Sequence, residues 1–179
     1  MRIRKRSETG YTLVEALVVV AIVGMISLVS VPAFTTMYRS NQLRVSARQA
    51  IMDLRWARQL AVTRQRAVKF SVTPGAGQKT YRIYLQDASP AITWPAAPVR
   101  SGTLQSNNYF VSTTFADCDA SADALVAADS DTAKDVIFLS SGAIWRPSAS
   151  NNVVIGTTWN VPRTSYTLSI NATGSVTMQ

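Results

Sequence analysis

Histidine is absent from the 179-residue chain, and Cys118 is its only cysteine. Without imidazole, the usual general base and a common metal ligand are missing. A lone thiol cannot form an intrachain disulfide. Nor is this thiol activated. Asp117, Asp119, Asp123, Asp129, Asp131 and Asp135 surround it, and neighbouring negative charge disfavours the thiolate. There is no glycine-rich phosphate loop and no internal repeat. Carboxylate or lysine chemistry is formally open, but no constellation supports it. Catalysis by this chain is therefore not expected, and neither is a cofactor. Calcium is the metal the aspartates suggest, yet their spacing lacks the central glycine and terminal glutamate of a calcium loop. A solvated acidic loop is the better reading, and no metal site is expected.

Acidic residues are scarce: over the whole chain 10 stand against 18 basic ones, for a formal charge of +8. The start of the chain inflates that figure. Residues 1–10 hold Arg2, Arg4, Lys5, Arg6 and Glu8, so the remainder carries 14 basic against 9 acidic residues, or +5. After this basic leader and the polar step Ser7-Glu8-Thr9-Gly10, an apolar run extends from Leu13 to Val31 and is closed by Pro32. Glu15 sits inside the run.

A basic leader before an apolar stretch is an address for the membrane. A cleaved secretory signal would have a shorter apolar core, about 7–15 residues. A plain anchor suits the length, since a span takes about 20 apolar residues. It leaves Glu15 unexplained, because an acidic residue inside a span costs roughly 2.5–3.5 kcal/mol. In either membrane reading the positive leader stays cytoplasmic. Everything after Val31 then lies on the outer side of the inner membrane.

A third reading accounts for both oddities. The segment Gly10-Tyr11-Thr12-Leu13-Val14-Glu15 resembles the processing site of type IV prepilins, with Tyr11 where phenylalanine is usual. The resemblance implies cleavage after Gly10 by a prepilin peptidase and N-methylation of the new terminus, Tyr11. It also implies that Glu15 meets the charged N-terminus of a neighbouring subunit during docking. Opposite charges attract strongly in low dielectric, which makes that role physically sensible. The family's helix-bending proline corresponds to Pro32. Many major pilins carry a C-terminal disulfide loop. Its absence here points to a minor pilin or pseudopilin.

Beyond Pro32, Leu43, Ala47, Ala50, Leu54, Ala57 and Ala61 recur at spacings of 3 and 4, which places them on one helical face. A single helix is expected from near Leu13 to about Arg64, bent near Pro32. Its small-residue face would lie against a globular domain. The same half carries Arg44, Arg48, Arg55, Arg58 and Arg66 within about a quarter-turn, opposed there only by Asp53. A nucleic-acid groove is the sharper meaning of such a face. A solvated face pairing with acidic surfaces of neighbouring subunits is preferred.

From Arg66 the period shifts to two. Ala67 to Thr73 and Tyr81 to Leu85 read as a hairpin around Pro74-Gly75-Ala76-Gly77. Residues 86–108 read as a long surface loop. Further strands are expected at Tyr109–Thr114, Val136–Leu139, Ala143–Arg146, Val153–Thr157, Tyr166–Ile170 and Gly174–Met178. The fold class is α+β: a long N-terminal transmembrane and amphipathic helix packed on an antiparallel β-rich domain, type IV pilin-like. The divisions are 1–10 leader, 11–34 transmembrane and filament-core helix, 35–65 amphipathic half-helix, and 66–179 periplasmic head.

Val136-Ile137-Phe138-Leu139-Ser140-Ser141-Gly142 resembles the strand-and-glycine step of the GspH/FimT group of minor pseudopilins and minor pilins. Leu54 to Arg64 and the ending Tyr166 to Thr177 are similar to that group as well. Its DNA-binding members carry Gly-Arg-x-Arg in the closing hairpin. Here the stretch is Gly174-Ser175-Val176-Thr177, without either arginine, which disfavours nucleic acid. The resemblance implies a minor pseudopilin of type II secretion in a periplasmic pseudopilus. The alternatives are a minor pilin priming type IV pili or, less favoured, a DNA-binding minor pilin of transformation. The implied partners are prepilin peptidase, other pilins or pseudopilins in a helical filament, and the inner-membrane assembly platform.

Overall fold

The computed structural model describes residues 12–75, 77–88, 94–105, 107–113, 134–145 and 151–179. The chain divides into two units, residues 1–38 and 39–179. One helix, α1 (Leu13–Arg64), contributes to both, and its limits agree with those expected, near Leu13 and about Arg64.

In the first unit α1 begins at an N-cap, Thr12. The Thr12 hydroxyl accepts the Glu15 amide at 3.3 Å, satisfying a donor that the first turn leaves unpaired. The segment is apolar all round, so it has no inner face. Leu13, Leu17, Val20, Met25, Leu28 and Phe34 are all exposed. Its few hydroxyls turn back onto the helix. Ser27 and Ser30 donate to the carbonyls of Val23 and Ile26, and Thr35 and Thr36 to that of Pro32. Polar groups are thereby paired inside the segment, as a lipid or protein interior requires. Pro32 lies within α1.

In the second unit, α1 ends in a left-handed turn. Gln65 takes φ 53°, and the Arg66 amide reaches the Ala61 carbonyl at 3.3 Å, the six-to-one bond of a Schellman cap. Among the described residues eight antiparallel strands follow: β1 (Val68–Val72), β2 (Thr80–Leu85), β3 (Arg100–Thr103), β4 (Asn108–Thr113), β5 (Lys134–Phe138), β6 (Asn151–Thr157), β7 (Ser165–Ile170) and β8 (Val176–Met178). They form two sheets, ordered β3-β2-β1-β5 and β4-β6-β7-β8. The expected hairpin is β1–β2, with Val68 opposite Leu85 and Val72 opposite Tyr81. Main-chain bonds join the sheets at two places. Gly75 and Gln78, beside the first hairpin turn, bond Phe110 of β4, and the Ile144 amide bonds Ala172.

Both sheets and the α1 stripe share one core. Leu43, Ala47, Ala50, Leu54, Ala57 and Ala61 are at most 1% exposed, packed with Phe70, Tyr81, Phe110, Phe138, Ile155 and Leu168. Alanine is what lets the strands come this close. Polar pins flank the stripe. Ser46, fully buried, accepts from the Asn108 side-chain amide at 2.8 Å. Asp53 receives the Tyr81 hydroxyl and pairs with Arg100 at 2.8 Å.

Two expectations fail. Residues 86–108 are not all loop, because β3 lies among them and pairs with β2. Its sequence Arg-Ser-Gly-Thr has no apolar alternation, since an exposed edge strand can be held by its backbone alone. Gly102 is required where it sits, because a Cβ would come within 2.1 Å of the Tyr81 ring. Ala143–Arg146 forms no strand over its described residues. Ile144 makes a single bridge with Phe138. The chain has just reversed through Gly142, at φ 81°, with Gly142 and Leu139 closing the turn. Arg146 lies outside the described residues.

Candidate functional site

Gly10 and Tyr11 lie outside the described residues. Glu15 does not: it is exposed in the first turn of α1, beside the N-terminal end where a carboxylate is favoured by the helix dipole. Its main-chain amide is the one that the Thr12 hydroxyl caps. Among the described residues, α1 is the one helix long and apolar enough to cross a membrane, and none of that apolar stretch is buried.

The arginine face separates into three kinds of residue. Arg44 and Arg48 are exposed. Arg66 leaves the face altogether, because α1 stops at Arg64 and Gln65 turns the chain. Arg55 and Arg58 are not simply solvated. The Arg55 Nη2 donates to the Val176 carbonyl at 3.1 Å, and the Arg58 Nε to the Gly142 carbonyl at 3.0 Å. Asp53 opposes none of them; it turns inward, 3% exposed, to Tyr81 and Arg100.

Arg58 sits over two glycines that are far apart in the sequence. Gly142 and Gly174 take φ 81° and 78°, a region where glycine carries no steric penalty. A Cβ on Gly174 would approach the Gly142 carbonyl oxygen to 2.2 Å and the Arg58 Nε to 2.9 Å. The two turns can therefore meet beneath the guanidinium only if position 174 has no side chain. Beside them opens a cleft of about 670 Å³, lined by Arg55, Arg58, Gln59 and Val62 of α1 and by Ser141, Gly174, Ser175 and Val176.

The acidic segment does not behave as a unit. Asp135 belongs to β5, is 8% exposed, and pairs with Lys69 at 3.5 Å. Lys69 also stands over the rings of Tyr84 and Trp94. Asp117, Asp119, Asp123, Asp129, Asp131 and Cys118 lie outside the described residues.

The sequence reading missed the Asp53–Tyr81–Arg100 cluster and the Ser46–Asn108 pin. Their signal was available: at about 100° per residue, positions 46 and 53 flank the alanine stripe, where a polar side chain must find a partner. Burial, and the hydrogen bond and negative charge of Asp53, hold the Tyr81 phenol well above its usual range. Arg100 in turn lies over the Trp56 ring at 5.2 Å.

Residues 46–174 match the family model described as type II transport protein GspH, and residues 5–31 match the prokaryotic N-terminal methylation motif. No curated protein matches the chain. Among solved structures it is similar to the type IV minor pilin FimU of Pseudomonas aeruginosa, strain PAO1. There the identity is 19%, with 80% of this chain and 92% of that one covered, at a TM-score of 0.55. It is also similar to the minor pseudopilin EpsH of the Type 2 Secretion System of Vibrio cholerae. That match has 12% identity, covers 77% of this chain and 96% of that one, and has a TM-score of 0.50. At these identities the likeness speaks for the fold.

Proposed function

The chain belongs to the GspH family, and from that membership we propose that it is a minor pseudopilin of a type II secretion system. In this reading α1 waits in the inner membrane with the leader cytoplasmic and the β-rich head periplasmic. Prepilin peptidase cuts between Gly10 and Tyr11, and Tyr11 is then N-methylated. The apolar stretch enters a filament core, where Glu15 docks against the N-terminus of a neighbouring subunit and Pro32 supplies the bend. The assembly platform and the other pseudopilins are its partners, and the resulting pseudopilus drives protein export.

One observation carries this reading. The GspH match, residues 46–174, takes in most of the head and the end of α1, and it lies downstream of a methylation motif at residues 5–31. The exposed, all-apolar first half of α1 supports it, since an exposed face of that size is a membrane or protein interface. The second reading is a minor pilin that primes type IV pili, since a type IV minor pilin, FimU, shares the fold.

Deleting the gene while scoring surface pili and the secreted proteome in the same cultures separates the two. Exoproteins trapped in the periplasm with pili intact is the expected result. Lost pili with normal secretion would transfer the assignment to the pilus. Glu15→Ala should lower incorporation into filaments while leaving cleavage after Gly10 intact. Normal incorporation of that variant would end the docking role.

A further inference from the structure

The cleft beside Arg58 has a chemistry that assembly through α1 does not use. Arg55 and Arg58 approach it from the helix, and each has committed one N–H to a main-chain carbonyl. A guanidinium carries five such donors. The ion pairs found among the described residues are Lys69–Asp135 and Arg100–Asp53, so neither arginine of the cleft has a carboxylate there. Two like charges are thus held at one opening. Their bonds to the Val176 and Gly142 carbonyls fix them before any ligand arrives, which reduces the ordering cost of binding. The volume, about 670 Å³, lies within the roughly 300–1,000 Å³ usual for ligand sites.

The walls select among anions. Val62 gives an apolar side next to the guanidiniums, which suits a charge on a short hydrocarbon stem. A nucleic-acid backbone would need a continuing basic track to release counterions along its length. Arg44 and Arg48 continue the basic row along α1, but the facing wall, Gly174-Ser175-Val176-Thr177, has no cation to hold the other side of a backbone. We propose that this cleft binds the side-chain carboxylate of an acidic peptide segment of another protein, gripped between Arg55 and Arg58. A planar guanidinium matches a planar carboxylate with two parallel bonds, which lysine cannot do. The site is independent of whether the filament serves secretion or a pilus.

The test is a titration of the nitrogen-15-labelled full chain in dodecylmaltoside micelles with acetyl-Ala-Asp-Ala-amide. The Arg55 and Arg58 Nε–H signals and the Gly142 and Gly174 amides should move and saturate. The matched acetyl-Ala-Asn-Ala-amide should produce no saturating shift. Arg55→Gln and Arg58→Gln should each weaken binding about tenfold or more, the usual cost of a lost charge-assisted bond. Unchanged Leu43 and Phe110 amides report that each variant keeps its fold. If Arg58→Gln disturbs them, Arg55→Gln decides alone. Equal shifts with the asparagine peptide, or undiminished affinity in Arg55→Gln, overturn the proposal. So would salt-sensitive binding of duplex DNA at these signals with no response to the aspartate peptide, which would make the site one for phosphate.

Discussion

Replacing Asp53 by alanine should destabilise the β-rich head by about 3 kcal/mol. The carboxylate is 3% exposed, accepts the Tyr81 hydroxyl, and pairs with Arg100 at 2.8 Å. Losing a charge-assisted hydrogen bond costs about 1.5–3 kcal/mol, and stranding a buried hydroxyl about 1–3 kcal/mol. The sum is reduced because the Arg100 side chain is 47% exposed and regains water when its partner disappears. Tyr81→Phe alone should cost about 1 kcal/mol, since Asp53 keeps its arginine. In the double variant no hydroxyl is stranded, so the two effects should fall short of additivity by about 1–2 kcal/mol. Urea unfolding of the full chain in detergent micelles, followed by tryptophan fluorescence, reads these differences as midpoint shifts at constant slope. A loss below about 1 kcal/mol for Asp53→Ala, or strict additivity, would refute the claim that this cluster pins α1 to the sheet.

Alkaline unfolding tests the same cluster from another side. Tyr81 is held above its unfolded value of about 10, chiefly by burial and then by Asp53. Its contribution is therefore complete below pH 10 and is lost as pH climbs past 10 towards the folded value, because the unfolded chain releases the proton first. Tyr81→Phe should flatten the fall in stability above pH 10, and an unchanged slope would contradict the assignment. Gly174→Ala should be among the costliest single-methyl additions in the head, about 3 kcal/mol, because its Cβ meets a backbone oxygen at 2.2 Å in a left-handed turn. Gly142→Ala, whose nearest neighbour is the Val62 side chain at 3.1 Å, should cost less, and a reversed order in thermal melts would count against the packing described. Leu54→Ala should cost about 3–5 kcal/mol by cavity formation, whereas Val20→Ala on the exposed apolar segment should leave the urea midpoint of the head unchanged.

Some of the molecule is legible without any tertiary information. The limits of α1 follow from an apolar run continued by an amphipathic stretch, and its alanine stripe is buried as the 3-and-4 spacing requires. The β1–β2 hairpin is readable because alternation on both sides meets a proline- and glycine-rich turn. These signals are local: a helix or hairpin repeats its pattern over neighbouring residues. For the same reason the N-terminal motif, with Gly10, Tyr11 and Glu15 in a short frame, announces the family before any fold is known.

The tertiary structure alone decided the rest. No local pattern marks β3 as a strand, because its place comes from the backbone of β2. Asp135 belongs by composition to an acidic run, yet pairing with β1 carries it beside Lys69 and into the interior. Arg55 and Arg58 read as a charged helix face, and Asp53 as their counter-ion. Packing turns Asp53 inward and lays the two arginines on carbonyls of a strand and a turn more than eighty positions away. Hydrophobic periodicity states which side of an element is buried. Which polar groups meet across that boundary depends on sheet order and on two glycines thin enough to let separate turns touch.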